Sequence, residues 1–333
     1  CPTLAQPCWG GKLMADVSDA PVLGIDIGGT KLAAGVVGGS GQVLSYVREA
    51  TPTGVDGEAL LAFVLRLARR ALDETGTGRA PVGVGIGCGG PMVFPEGIVS
   101  PLHIPAWKDF ALRARVESSL GLPTVLDNDA KAFALGEALF GAGRGARCML
   151  GMVVSTGVGG GRVARGQLFD GASGNAGHVG HVLVSKDGPR CYCGGHGCLT
   201  VYASGTGLAA RAREALEQGI PSSLAALDVE QVTGQAVAEA AASADPLALD
   251  LMRAAGQALG MGIASVANLL DLDRVVIGGG VAQSGDLLFN PLLEELRRRA
   301  TLAFSLDVEV RLAQLGQEAG VVGAAGLVFQ RFK

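Results

Sequence analysis

The sequence predicts an α/β protein, and three observations carry that expectation. Short β-branched apolar runs recur along the chain, amphipathic helical stretches alternate with them, and glycine-rich turns follow the apolar runs at four places. At 333 residues the chain has room for about two domains. Glycine supplies 53 residues, roughly twice its usual share of about 7%. These glycines keep no triplet period, which excludes a collagen-like chain, and a 48% hydrophobic content excludes disorder. Lys and Arg total 27 against 31 Asp and Glu, so the net charge is −4. That balance lacks the basic footprint of a nucleic-acid or anionic-membrane binder.

Taken in order, Pro21 to Ile27 is a buried strand ending in the turn Gly28-Gly29, and Lys31 to Val37 is a returning strand. Glu58 to Leu72 sets Leu60, Leu61, Val64, Leu65, Ala68 and Leu72 on one helical face. Val82 to Gly87 is a strand followed by Gly89-Gly90-Pro91. A helix over 110–120 leads to a strand, Pro123 to Leu126, which runs into Asp127-Asn128-Asp129 and a helix from Ala130 to Phe140. Met149 to Ser155 is a strand entering a turn, Thr156-Gly157-Val158-Gly159-Gly160-Gly161. Helices are expected near Leu208–Gln218, Gly234–Ala242 and Leu247–Leu270, then a strand, Arg274 to Ile277, into Gly278-Gly279-Gly280. A helix from Pro291 to Ala300, a strand from Val308 to Leu312 and a helix from Gly320 to Phe329 finish the chain.

Gly256, Gln257, Gly260, Gly262 and Asn268 interrupt the uncharged stretch Ala254–Leu270, so it reads as a buried helix rather than a membrane span. Residues 1–20 lack the basic and apolar regions of a secretory signal, which makes the cytoplasm the expected compartment. Residues 1–21 are set aside as a tag-like or disordered tail. No tandem repeat of short period is evident.

Four segments carry chemistry. In Asp26-Ile27-Gly28-Gly29-Thr30-Lys31, glycines after a strand free backbone N–H groups for phosphate oxygens, Thr30 adds a hydroxyl, and Asp26 could hold Mg²⁺. A plain hairpin turn would use the same residues, and the order Thr30-Lys31 is not that of a Walker A loop. Ser155 to Gly161 repeats the hydroxyl-and-glycine pattern. His181 with Cys191, Cys193 and Cys198 supplies one nitrogen and three sulfurs, the donor set of a closed structural zinc site, with buried free thiols as the alternative. His196 lies inside that loop and reads as a surface residue. In Asp127-Asn128-Asp129, strand alternation puts Asp127 and Asp129 on one side until the chain turns, and one of the three suits a helix cap. Gly85 to Gly90 also fits the dinucleotide pattern G-x-G-x-x-G, but Pro91 and Pro95 block the helix that pattern requires.

These segments resemble the ROK family of repressors, open reading frames and kinases. The likeness rests on Gly24 to Lys31, Asp127 to Ala132, Ser155 to Gly161 and the His/Cys cluster, and spans about residues 22–328. The resemblance implies a two-domain actin-like (ribonuclease H-like) ATPase fold with an interdomain cleft. Its small domain would be 22–126 plus 316–331, and its larger domain, with the zinc loop, 127–315. It further implies ATP-dependent phosphorylation of a hexose, foremost glucose at the 6-hydroxyl, by a cytoplasmic homodimer. Asp129 would be the general base, with Asn128, Gly89, Gly90, His178 and His181 on the sugar side. Gly28, Gly29, Thr30, Lys31, Thr156, Gly157 and Gly159 would hold phosphates, Gly278 and Gly279 the adenosine, Asp26 the Mg²⁺, and the zinc would shape the sugar loop.

The chain departs from the family twice. ROK glucokinases usually carry Glu three residues before the zinc His and two after the last zinc Cys, where this chain has His178 and Thr200. That change leaves N-acetylmannosamine or N-acetylglucosamine kinase, and a non-catalytic sugar sensor, as alternatives. The family's repressors carry an added helix-turn-helix domain, and no basic recognition helix precedes Gly24. Neither the sugar nor a phosphoryl donor other than ATP, such as polyphosphate, is decided by these residues.

Overall fold

A computed structural model describes residues 20–76 and 78–332, so the tail expected at residues 1–21 lies almost wholly outside the described residues. The chain divides into two compact units, one running to Ala132 and resuming at Gly320, the other Phe133–Ala319.

The first unit opens with β1 (Val22–Ile27), β2 (Lys31–Val37) and β3 (Val43–Ala50), joined as antiparallel neighbours. Helix α1 (Gly57–Asp73) follows, its N-terminus capped by Asp56, which accepts the Ala59 N–H at 2.8 Å. The apolar face expected there is the buried one: Leu60, Leu61, Val64, Leu65 and Ala68 all sit in the core. Next come β4 (Val84–Cys88), a small hairpin of β5 (Met92–Val93) and β6 (Ile98–Val99), α2 (Leu112–Leu120), β7 (Thr124–Asn128) and the first turn of α3 (Asp129–Phe140), whose remainder from Phe133 belongs to the second unit. The sheet runs β3-β2-β1-β4-β7, with β1, β4 and β7 parallel. Edge strand β3 is an addition to the sequence expectations; Ser45, Arg48 and Glu49 dilute its apolar signal.

The second unit holds β8 (Cys148–Val154), β9 (Val158–Ala164) and β10 (Gln167–Leu168), then α4 (Leu199–Ala203), α5 (Gly205–Glu217), α6 (Gly234–Ala242) and α7 (Pro246–Leu270). Strand β11 (Arg274–Gly278), α8 (Asp286–Arg299) and β12 (Glu309–Leu312) complete it. Its sheet, β10-β9-β8-β11-β12, repeats the pattern of the first: two antiparallel pairings, then two parallel ones.

Two expectations are corrected here. Gly159, Gly160 and Gly161 are not in a turn but inside β9, paired with Val153, Met152 and Gly151 of β8, so the turn shrinks to Ser155-Thr156-Gly157. A glycine run loses side-chain packing in a strand, but a full ladder of backbone hydrogen bonds compensates. Helix α8 begins at Asp286 and contains Pro291 rather than starting there, because Gly285 (φ 56°) breaks the chain and Asp286 supplies an acidic first turn. The Pro291 ring lies against Gly256 of α7, where an added Cβ would approach its Cγ to 2.6 Å.

The last helix, α9 (Ala319–Phe329), returns to the first unit and is buried along its length. Gly24 and Gly85 make room for it: a Cβ at Gly24 would collide with the Val321 carbonyl oxygen, and one at Gly85 with that of Ala324. Among the described residues no helix is long and apolar enough to cross a membrane.

Candidate active site

In the first unit the parallel strands β1, β4 and β7 end beside one another, and the chemistry gathers at those carboxyl ends. Asp26 pairs in register with Gly87, and Gly87 with Asp127. The β1–β2 connection is a tight hairpin, closed by the Gly28 N–H donating to the Lys31 carbonyl at 3.0 Å and tied to β3 by the Thr51 hydroxyl donating to the Gly28 carbonyl at 2.7 Å. Thr30 is exposed at its tip. A Cβ at Gly29 would sit 2.6 Å from the His103 Cβ, so glycine lets the 100–104 segment lie directly on the turn.

Two carboxylates share this end of the sheet. Burial, and then the negative charge of Asp129, lifts the Asp26 carboxyl from 3.8 to about 6, with Lys31 pulling the other way. Burial also raises Asp129, against the downward pull of backbone N–H donors, His103 and Asn128. The Cys88 thiol, at the end of β4, is pushed well above its ordinary value by burial and by both carboxylates. It therefore stays protonated and is no nucleophile. Helix α9 passes so close that a Cβ at Gly320 would run into Asp26 Oδ2.

The turn from β7 into α3 sorts the three polar residues. Asn128 Oδ1 caps the helix, accepting the N–H groups of Ala130 at 3.1 Å and Lys131 at 3.4 Å, which leaves its amide nitrogen as a donor. Asp129 Oδ1 accepts the Ala130 N–H at 2.8 Å, while a Cβ at Gly89 would be 4.0 Å from Oδ2. Strand alternation ends at Asn128, so Asp127 and Asp129 part: Asp127 pairs with Lys131 at 2.8 Å, whereas Asp129 and Asp26 feel each other's charge.

In the second unit His181, Cys191, Cys193 and Cys198 bring one donor atom each to within 4.8 Å of one another. His181 Nδ1 is 3.7 Å from Cys191 Sγ, and Cys193 Sγ is 3.7 Å from Cys198 Sγ. The Tyr192 hydroxyl lies 3.1 Å from His181 Nε2 and so orients the ring with Nδ1 toward the sulfurs. Burial and the neighbouring His178 keep His181 below its ordinary pKa, hence neutral, as a metal ligand must be. The donor set fits zinc in chemistry and number. His178 is exposed, with its ring centroid 6.4 Å from that of His181, and Thr200 is buried in the first turn of α4.

Ser155 and Thr156 of the Ser155-Thr156-Gly157 turn form one end of a cavity of about 840 Å³ in the same unit. Its backbone is held by the start of α5: the Gly205 N–H donates to the Ser155 carbonyl at 2.7 Å, and the Thr206 hydroxyl to the Thr156 carbonyl at 2.8 Å. Helix α6 lines one wall with Gln235 and Glu239, and Gly280, Gln283 and Ser284 line another. Gly278 packs on the Phe133 ring and Gly279 (φ 98°) on the Val154 carbonyl, so Gly280, not either of them, lines the cavity.

The sequence profile of the ROK family matches residues 22–331. The chain belongs to the ROK family. It is 36% identical over 325 residues to a glucokinase of Halalkalibacterium halodurans, covering 95% of this chain and 97% of the relative. It is 34% identical to an N-acetylmannosamine kinase of Escherichia fergusonii, covering 91% and 96%. Among solved structures, a ROK glucokinase from Streptomyces griseus in complex with glucose and AMPPNP superposes with a TM-score of 0.77 at 36% identity, covering 92% of this chain and 99% of the other. The actin-like ATPase fold of the family is thus the fold of this chain.

Within this ROK fold, some site residues were beyond sequence reasoning. His103 sits on an irregular segment in no motif, yet its charge reaches Asp129 and its backbone covers Gly29. Gly320, far along the chain, makes space for the Asp26 carboxylate. Gly205 and Thr206 brace the second hydroxyl turn without matching any pattern. Only tertiary contact identifies any of them.

Proposed function

We propose that this chain is an ATP-dependent hexose kinase that phosphorylates glucose at the 6-hydroxyl. The observation that carries the reading is Asp129: a half-buried carboxylate with one oxygen committed to the backbone and the other facing Gly89, at the end of a sheet beside a glycine turn. A raised carboxyl is a stronger base near neutrality than an exposed one.

Asp129 Oδ2 accepts the proton of the sugar hydroxyl as that oxygen attacks the γ-phosphorus, and the bond from the γ-phosphorus to the bridging oxygen of ADP breaks. The Asn128 amide, free to donate because its oxygen caps α3, holds a neighbouring sugar hydroxyl. Gly28, Gly29, Thr30 and Lys31 offer N–H, hydroxyl and ammonium donors suited to phosphate oxygens, and the turn at Thr156 and Gly157 offers a hydroxyl and N–H donors of the same kind. The cavity bounded by Gln235, Glu239, Gly280 and Gln283 accepts the nucleoside. Mg²⁺ fits Asp26, a hard oxygen donor beside a second carboxylate in a space that only glycine at position 320 leaves open. When bound it would neutralise charge on the β- and γ-phosphates. His181, Cys191, Cys193 and Cys198 would hold zinc, which when bound would tie down the loop that follows His178 on the sugar side.

An N-acetylhexosamine substrate is the second reading, favoured by His178 and Thr200, which replace carboxylates that would bind vicinal hydroxyls. ADP release with Mg-ATP over glucose, mannose, fructose, N-acetylglucosamine and N-acetylmannosamine separates the two. Asp129→Asn should lower kcat by about a thousandfold while the zinc content and melting temperature stay near wild type. Substantial turnover by that variant would remove the base assignment, and a silent wild type that still binds sugar would point to a sensor.

A further inference from the structure

Lys131 is among the largest fully buried side chains of the described residues, 2% exposed, three residues beyond Asn128, which caps the catalytic turn. Its Nζ is 2.8 Å from Asp127 Oδ2, itself buried, and lies 5.3 Å from the centroid of the Phe94 ring, which follows β5. The other oxygen, Asp127 Oδ1, accepts the Asn128 N–H at 2.7 Å. One ion pair therefore touches three places at once: the end of β7, the first turn of α3 and the segment after the glycine–proline turn at Gly89-Gly90-Pro91.

Removing two charges from water costs several kcal/mol for each ion, and apolar residues of the same volume often give equal or greater stability. Stability alone is thus a poor reason for this pair. Its geometry supplies another. The dihedrals of Asn128 and Asp129 decide whether the amide nitrogen and Oδ2 face the substrate. Asp127 fixes the Asn128 N–H, and Lys131 fixes Asp127.

We propose that Asp127–Lys131 is a positioning unit that holds the strand-to-helix turn in reacting register, with Lys131 as the positioning residue. The proposal rests on the reading of Asn128 and Asp129 as substrate-facing. Lys131 itself touches no substrate; it is shut inside the core and acts through Asp127. A displacement of about 1 Å at a reacting group can cost a hundredfold in rate.

The test compares Lys131→Met, the double variant Asp127→Asn/Lys131→Met and Phe94→Leu by melting temperature, kcat and both KM values in the ADP-release assay. Lys131→Met takes the ammonium away from the buried Asp127 carboxylate and should melt well below wild type. The double variant carries neither charge of this pair and should recover most of the melting temperature. Its kcat should nevertheless stay down by about tenfold or more, with the KM for ATP within about twofold of wild type. Phe94→Leu should show a smaller loss of kcat in the same direction.

Recovery of kcat to within about twofold in the double variant would make the pair merely structural and overturn the proposal. So would a loss spread equally over kcat and both KM values with a collapsed near-ultraviolet circular dichroism signal. Asp129→Asn runs in parallel. Its retained activity would retire the base assignment, while the Lys131 contrast is still read from kcat whichever group takes the proton.

Discussion

Asp26 is held in a charge state its surroundings oppose. Its carboxyl titrates at about 6 instead of 3.8, so the folded protein keeps a proton that the unfolded chain has already released between those two values. Stability contributed by that proton is present below about pH 4 and is lost as the pH rises through 6; above it, the ionised carboxylate is a full cost. Asp26→Asn should therefore raise the unfolding free energy of the ligand-free protein by about 3 kcal/mol at pH 8 and leave it nearly unchanged at pH 4, while abolishing turnover. Urea unfolding at both pH values checks this, and equal effects at the two would show that the group is not the one titrating. At this scale the sequence was informative about residue type and silent about environment. Asp26 and Asp129 could be named from their motifs, but their mutual charge, and the approach of His103 and Gly320, depend on contacts between distant parts of the chain.

Elements were readable wherever period and punctuation agreed. Helices α1, α6 and α7 fall within a residue or so of their expected bounds, because an apolar stripe, a polar cap (Asp56, Thr233, Asp245) and a breaker coincide. They failed where glycine was ambiguous: Gly159–Gly161 look like a turn, and only pairing with β8 makes them a strand. The His/Cys loop was legible for the opposite reason, since ligand chemistry is carried by residue type and spacing rather than by packing. Cys193→Ser removes one of the four candidate ligands without disturbing the core, because Cys193 is the exposed member of the set. It should lower zinc affinity by at least ~10-fold and raise the sugar KM several-fold, with the ATP KM unchanged. Metal analysis and the two KM values decide it; a sugar KM that ignores zinc loss would separate the metal from the sugar loop.

At the level of the whole molecule, the two five-stranded sheets share one topology, although no short-period repeat marks the sequence. Each has its own core, one built on α1 and α2, the other on α4 to α8. Helix α9 belongs to the first unit despite coming last, and its docking depends on glycines more than 230 residues upstream. Gly85→Ala would press a methyl into the Ala324 carbonyl, which is backbone and cannot rotate away. The expected loss is about 3 kcal/mol or more, with activity falling as α9 withdraws from Asp26. Thermal unfolding measures it, and a near-native melting temperature would mean that α9 shifts freely.

By itself the sequence determined what is local: most of the order of strands and helices, the His/Cys donor set that the fold gathers, and the residue types at the glycine turns and at the β7–α3 turn. It did so because apolar period, capping and ligand chemistry act over a few neighbouring residues. Tertiary structure alone decided that the ends of β1, β4 and β7 lie side by side, that Asp127 turns inward to Lys131 while Asp129 and Asp26 come within each other's field, and that Gly280 rather than Gly278 or Gly279 lines the cavity. Those outcomes depend on burial and on the fields of groups far apart in the chain, and neither exists until the chain has folded.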